Sequence, residues 1–133
     1  MKSRTAEFNR IEFILRDFAM TFPGATEEFP WGERAIKVNK RVFLFLGQGE
    51  DGFGMSLKLP LSLEHALALS YVEPTHYGLG KHGWVTVHLD RAPSIPVEAL
   101  KRWVEESYRA VAPKKRVVEL DEKGNSKPSR PSR

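Results

Sequence analysis

The feature that most constrains the fold is a strict two-residue alternation over residues 53–59. Its apolar members, which lie on one side of an extended chain, are Phe53, Met55, Leu57 and Leu59. The intervening residues are glycine, serine and lysine. This period of two predicts a strand with one buried face. Such a strand needs a sheet whose apolar face is covered by a second layer.

Further strand-like runs accompany it. Ala35–Val38 and Arg41–Gly47 flank Asn39-Lys40, which predicts a tight hairpin because asparagine tolerates a positive φ. A second alternating run covers Trp84–Leu89. The connections between the first three runs are short, which favours antiparallel pairing.

Helical spacing of apolar residues predicts helices over residues 5–22, 60–70 and 96–111. Residues 23–33 and 71–83 contain several prolines and glycines and are interpreted as loops. The predicted fold class is α+β: a two-layer sandwich of an antiparallel sheet with helices mainly on one face.

A chain of 133 residues with 41% hydrophobic content suits one domain, assigned to residues 1–118. Residues 119–133 are polar and are predicted to be a disordered tail. The absence of cysteine excludes disulfides and thiolate chemistry. No apolar stretch approaches the roughly 20 residues of a membrane span, and the first ten residues lack a signal-peptide pattern, so we expect a cytoplasmic protein. The oligomeric state is not readable from the sequence, and a monomer is the default expectation.

The net charge of +4 comes from the C-terminal segment. Of 21 basic and 17 acidic residues, seven basic and three acidic ones follow Val111, so residues 1–111 carry fourteen of each. The basic balance alone is therefore a weak argument for nucleic-acid binding by the folded body.

The first candidate site is the basic hairpin, whose cations are Arg34, Lys37, Lys40 and Arg41. Long cationic side chains on a hairpin can reach phosphates while the turn approaches a groove. The alternative is that these cations only keep a sheet edge soluble.

The second candidate is the glycine-rich segment 76–84, with polar or aromatic residues His76, Tyr77, Lys81, His82 and Trp84. Its glycines would allow close approach of a partner, its backbone amides could cradle an anion, and an aromatic ring could stack on a base. The alternative is a loop that needs glycine for its own geometry, with Trp84 in the core.

A third candidate is a shared polar sheet face, comprising Lys37, Ser56, Lys58, Thr86 and His88. Strand parity allows this grouping, but pairing register is not readable from sequence, and a solvated face is the alternative. Lys114-Lys115-Arg116 is interpreted as complementing the C-terminal dipole of the last helix, with non-specific phosphate contact as a further role.

The sequence predicts no metal site, no cofactor and no catalytic centre. The four histidines form no HExxH pattern and no i, i+4 pair on a helix, and no nucleophile stands at a recognisable spacing from a base.

Several segments resemble the MmcQ/YjbR family: Pro23-Gly24-Ala25 with Phe29-Pro30-Trp31-Gly32, Met55-Ser56-Leu57-Lys58, Glu73-Pro74-Thr75-His76-Tyr77, Gly80–Val87, and Ser107-Tyr108-Arg109. The resemblance spans roughly residues 8–116 and implies a CyaY-like fold. Some members of this family are likened to double-wing DNA-binding proteins, an analogy at the level of the fold.

The leading functional hypothesis is a small non-catalytic DNA-binding protein. Its phosphate contacts would be Arg34, Lys37, Lys40, Arg41, Lys58, Lys81 and His82, with Tyr77 or Trp84 as apolar contact. The alternative is an interaction module that binds a protein partner or a small anionic ligand through the 76–84 loop.

Overall fold

A computed structural model of the chain describes residues 2–30, 33–49, 52–76 and 78–125. Within these ranges the α-helices are α1 (Lys2–Met20), α2 (Leu63–Leu67), α3 (Val97–Val111) and α4 (Lys114–Asn125). The strands are β1 (Ala25–Glu28), β2 (Arg34–Val38), β3 (Arg41–Gly49), β4 (Gly52–Lys58), β5 (Val72–Pro74) and β6 (Trp84–His88). Short 3-10 helices cover Leu79–His82 and Leu89–Arg91.

The strands form one antiparallel sheet in the order β1-β2-β3-β4-β6-β5. Helices α1 and α3 contact each other and β3, so they cover the same face. On the other side of the sheet, which we call the open face, the side chains remain partly exposed; they include Phe45, Ser56, Lys58, Trp84, Thr86 and His88. The predicted α+β class, with helices mainly on one face, is confirmed.

A β-bulge interrupts the pairing of β2 with β3. Ile36 lies opposite Leu44 and Lys37 opposite Val42, so Phe43 is an extra residue on β3. An extra residue changes the face on which the following side chains lie. As a result Phe43 and Leu44 are both fully buried.

A buried serine from α3 compensates for this interruption. The Ser107 hydroxyl accepts a hydrogen bond from the Lys58 backbone N–H at 2.9 Å and donates one to the Phe43 carbonyl at 2.7 Å. Buried backbone groups need a partner of this kind, because an unsatisfied one costs free energy. Ser107 is the one fully buried polar residue among those described.

Replacing Ser107 with alanine should therefore lower the free energy of unfolding by about 1–3 kcal/mol, because two buried backbone groups lose their partner. The measurement is urea unfolding, with the exposed Ser94→Ala as the matched control. A change below about 0.5 kcal/mol for Ser107→Ala would contradict the bridging role.

An aromatic cluster closes the core under β3. The Tyr108 ring lies 4.8 Å from that of Phe22 and 5.2 Å from that of Phe43, measured between centroids. The Tyr108 hydroxyl donates to the Pro23 carbonyl at 2.7 Å. Tyr108 therefore joins α3 to the turn that follows α1.

The structure differs from the sequence-based interpretation at the sheet edges and at the C-terminus. The loops predicted at 23–33 and 71–83 each contain an edge strand, β1 and β5. The predicted disordered tail begins inside a helix, because α4 continues to Asn125, and residues 126–133 lie outside the described residues. No helix in the described ranges is long and apolar enough to span a bilayer.

Candidate functional site

Arg34, the first predicted phosphate contact, forms ion pairs with two carboxylates on the helix side of the sheet. Its guanidinium lies 3.2 Å from Glu12 and also contacts Glu27 directly. Its side chain is only 10% exposed and stacks near the rings of Phe13 and Phe29, at 5.2 and 5.0 Å from their centroids. We therefore remove Arg34 from the candidate phosphate contacts, because its charge is already neutralised and shielded.

Glu27 is the centre of this ion pair. It accepts hydrogen bonds from Arg16 at 2.8 and 3.1 Å, in addition to its contact with Arg34. The Arg16 hydrogen bond, opposed by partial burial and reinforced by Arg34, lowers the pKa of Glu27 to about 2. The carboxylate is therefore ionised throughout the neutral range and holds both guanidinium groups in place.

Lys37 lies on the open face, as its strand parity suggested, but it is paired. Its ammonium lies 2.8 Å from the Glu28 carboxylate on the neighbouring strand β1. This pair is more exposed than that of Arg34, so Lys37 stays a predicted phosphate contact, but one that would have to leave Glu28 to bind a phosphate.

Lys40 and Arg41 lie at the exposed tip of the β2–β3 hairpin. Asn39 and Lys40 both have positive φ, of 50° and 70°, which is the backbone of a tight two-residue turn that matches sheet twist. The predicted hairpin is confirmed. Among the described residues, no ion pair engages either Lys40 or Arg41.

The first turn of α4 adds cations beside this tip. Arg116 donates from Nε to the Asn39 side-chain oxygen at 3.1 Å and is paired with Glu119 at 2.9 Å, while Lys114 and Lys115 are exposed. These cations begin a helix instead of ending one, so the C-terminal dipole interpretation is wrong. Lysines at a helix N-terminus add to its positive potential rather than offsetting it.

Lys58 and the 76–84 segment reach the same end of the sheet. Lys58 ends β4 directly opposite Trp84, which begins β6, and Gly83 precedes Trp84. Lys81 and His82 lie exposed on the 3-10 helix just before Gly83. Because β3 and β6 both flank β4, they are about 10 Å apart, two strand spacings.

The antiparallel register thus places four cationic side chains and His82 where β3 begins, β4 ends and β6 begins. We call this set the cationic end: Lys40, Arg41, Lys58, Lys81 and His82. Across the part of the chain that the structure describes, none of the five forms an ion pair.

Acidic side chains lie at the opposite end of the open face. A groove of about 180 Å³ lies there, and its lining includes Glu33, Gly54, Ser56, Thr86, His88 and Asp90. His88 is hydrogen-bonded to Glu73 at 2.6 Å, and this bond lowers the pKa of the Glu73 carboxyl. On the open face charge is therefore segregated along the strands. On the helix side two carboxylates lie nearer the cationic end: Glu106, which accepts from the Leu61 and Ser62 backbone, and Glu119, which pairs with Arg116 beside Asn39.

The glycines of the 76–84 segment serve the geometry of the loop itself. Gly78 and Gly83 adopt left-handed φ values of 80° and 90° on either side of the 3-10 helix. A Cβ at Gly80 would lie 2.8 Å from the Pro74 Cβ, too close for any side chain. The backbone geometry of the loop is therefore sufficient to explain why glycine occupies these positions, without the predicted close approach of a partner. His76 is exposed near Glu73, and Tyr77 lies outside the described residues.

Trp84 is not a core residue. It lies on the open face with its ring centroid 6.1 Å from that of Phe45, a residue that the sequence analysis did not single out. The hydroxyls of Thr75, Thr86 and Ser56 form a row across the sheet beside the rings, joined at 3.0 and 2.9 Å. The shared open face predicted from parity is thus present for Ser56, Lys58, Thr86 and His88.

The described residues include no group of three metal-ligating side chains.

Comparison with family models matches the YjbR family model to residues 20–110. Among solved structures, the chain is similar to the crystal structure of Deinococcus radiodurans protein DR2400, of the domain family DUF419. The two share 27% identity and a TM-score of 0.61, over 80% of this chain and 85% of that one. A search of curated proteins found no match.

Proposed function

Because this chain belongs to the YjbR family, and family membership alone does not define a function, we propose a function from its surface. We propose that it binds DNA through phosphate contacts at the cationic end of the sheet. The observation that carries the proposal is the segregation of charge. Exposed Lys40, Arg41 and Lys81 and half-buried Lys58 lie at one end of the sheet together with His82. Glu33 and Asp90 line the groove towards the other end of the open face.

Unpaired cations favour this role. A cation already held by a carboxylate must give up that partner before it can bind a phosphate, as Arg34 and Lys37 would have to do. The cationic end has no such cost. Lys114 and Lys115 beside the hairpin tip extend the surface available to a phosphate backbone.

The hairpin tip is also exposed. Its two-residue turn leaves Lys40 and Arg41 open to solvent, so both side chains can reach phosphates of a polyanion. A body with zero net charge still attracts such a polymer when its cations share one surface.

The test is fluorescence anisotropy of a labelled oligonucleotide, offered as a single strand and as a duplex, between about 50 and 200 mM salt. The double variant Lys40→Ala/Arg41→Ala should bind about tenfold more weakly and lower the slope of log K against log salt by about 1.5. The matched control, Arg10→Ala/Arg91→Ala, removes the same charge from exposed positions away from the cationic end and should leave the slope unchanged.

A second control concerns the C-terminal segment. Neutralising Lys127, Arg130 and Arg133 to glutamine in the full chain isolates its contribution. The proposal is overturned if the protein binds neither form of DNA at low salt, or if binding disappears in this tail variant and survives in Lys40→Ala/Arg41→Ala. The expected cytoplasmic location stays a prediction.

A further inference from the structure

An aromatic pair lies on the open face next to the cationic end. Phe45 on β3 and Trp84 on β6 are separated by strand β4, yet their ring centroids are 6.1 Å apart, so the rings lean towards one another across β4. Both side chains are partly exposed. Both rings are half-buried, and the part of each ring that reaches solvent on this face gives a planar partner a surface to contact.

Polar and cationic groups surround this pair. Lys58 lies directly opposite Trp84, and Lys81 and His82 lie just before it in the chain. On the other side, the hydroxyl row of Ser56, Thr86 and Thr75 offers hydrogen-bond donors and acceptors. The arrangement therefore offers the solvent-facing parts of two rings, neutral polar groups beside them and cationic side chains at the edge.

We propose, building on the DNA-binding function above, that the open face binds single-stranded nucleic acid, with bases stacked on Phe45 and Trp84 and phosphates held by Lys58, Lys81 and His82. In a duplex the base faces are stacked on one another and are not available to a protein ring, whereas unpaired bases can stack on aromatic side chains. Cations that follow the backbone beside such rings are the usual companions of single-strand binding.

The hydroxyl row is compatible with weak preference among bases. Serine and threonine hydroxyls both donate and accept, so they can contact the edge of any base. Binding should depend on stacking and on backbone charge more than on sequence.

The experiment compares oligo(dT), oligo(rU) and a DNA duplex of equal length, using the full chain and the variant Trp84→Leu. We expect the wild type to bind a single strand more tightly than the duplex. Trp84→Leu should weaken single-strand binding by about fivefold or more, while duplex binding and the salt slope stay unchanged. Trp103→Leu is the matched control, since Trp103 lies on α3 against the helix side of the core.

The outcomes separate this inference from the function on which it rests. DNA binding stands if Lys40→Ala/Arg41→Ala weakens it. The stacking surface is overturned if the duplex binds as tightly as the single strand. It is also overturned if Trp84→Leu binds a single strand as tightly as Trp103→Leu does. Tighter binding of either oligo(dT) or oligo(rU) than of the duplex supports the stacking surface. The tighter of the two single strands shows whether the surface prefers DNA or RNA. Circular dichroism and melting of Trp84→Leu confirm that the variant is folded.

Discussion

Replacing Arg34 with methionine is expected to lower the free energy of unfolding by about 3 kcal/mol at neutral pH. Methionine keeps much of the apolar contact with Phe13 and Phe29 but leaves Glu12 and Glu27 without their shared cation. The two carboxylates have side-chain exposures of only 12% and 15%, so water replaces the lost partner poorly. Removing one partner of a buried pair is costly for this reason, even where the intact pair adds little.

Urea unfolding measures this change, and Arg41→Met is the matched control on the same hairpin. Arg41 is exposed at the tip, so its replacement should change stability by less than about 0.5 kcal/mol. Adding Glu12→Gln to Arg34→Met should recover part of the loss, since Glu12 is the carboxylate left without a cation, whereas Glu27 keeps Arg16. Equal stability of Arg34→Met and the wild type would show that the ion pair contributes nothing.

The same ion pair predicts acid sensitivity. The pKa of Glu27 is about 2 in the folded protein and 4.5 in its ordinary state, so its stabilising contribution is complete above about pH 4.5 and is lost as pH falls through 2. The loss should amount to about 2 kcal/mol, since solvent screens part of the interaction. In Arg34→Met the loss of stability at low pH should be smaller than in the wild type. It should not vanish, because Arg16, which remains, is the largest cause of the lowered pKa of Glu27.

The sequence was sufficient for the features that depend on local periodicity. The alternation of β4 and β6, the Asn39-Lys40 turn and the stripe of α3 are set by residues within a few positions of each other. Edge strands β1 and β5 lack such a signal. β1 has the sequence ATEE, with two adjacent glutamates, and β5 has only three residues and contains a proline. Their strand character comes from pairing with a neighbour.

Whether each predicted phosphate-contacting cation is paired or free depends on residues that are distant in the sequence. The partners of Arg34 lie 22 and 7 residues away, and no local pattern joins them. Conversely, Lys81 and His82 lie at the same end of the sheet as Arg41 because β3, β4 and β6 are successive antiparallel strands. Phe45 was missed because the bulge at Phe43 changes the parity of β3, and an irregularity of that kind is not visible in the sequence.

The largest loss of stability is expected for Tyr108→Ala, about 4 kcal/mol. Tyr108 is fully buried, and its ring contacts both Phe22 and Phe43, so alanine leaves a large cavity between α1, α3 and β3. Burial also raises the pKa of the Tyr108 hydroxyl, so the group stays neutral and keeps donating to the Pro23 carbonyl at physiological pH.

Tyr108→Phe separates the ring from the hydroxyl. It keeps the packing and removes one hydrogen bond, so it should cost about 1 kcal/mol, a quarter of the alanine effect. The released carbonyl belongs to the Pro23-Gly24 turn, and Gly24 lies against Arg116 beside the hairpin tip. A loss in Tyr108→Phe as large as in Tyr108→Ala would mean that the hydroxyl, not the cavity, dominates.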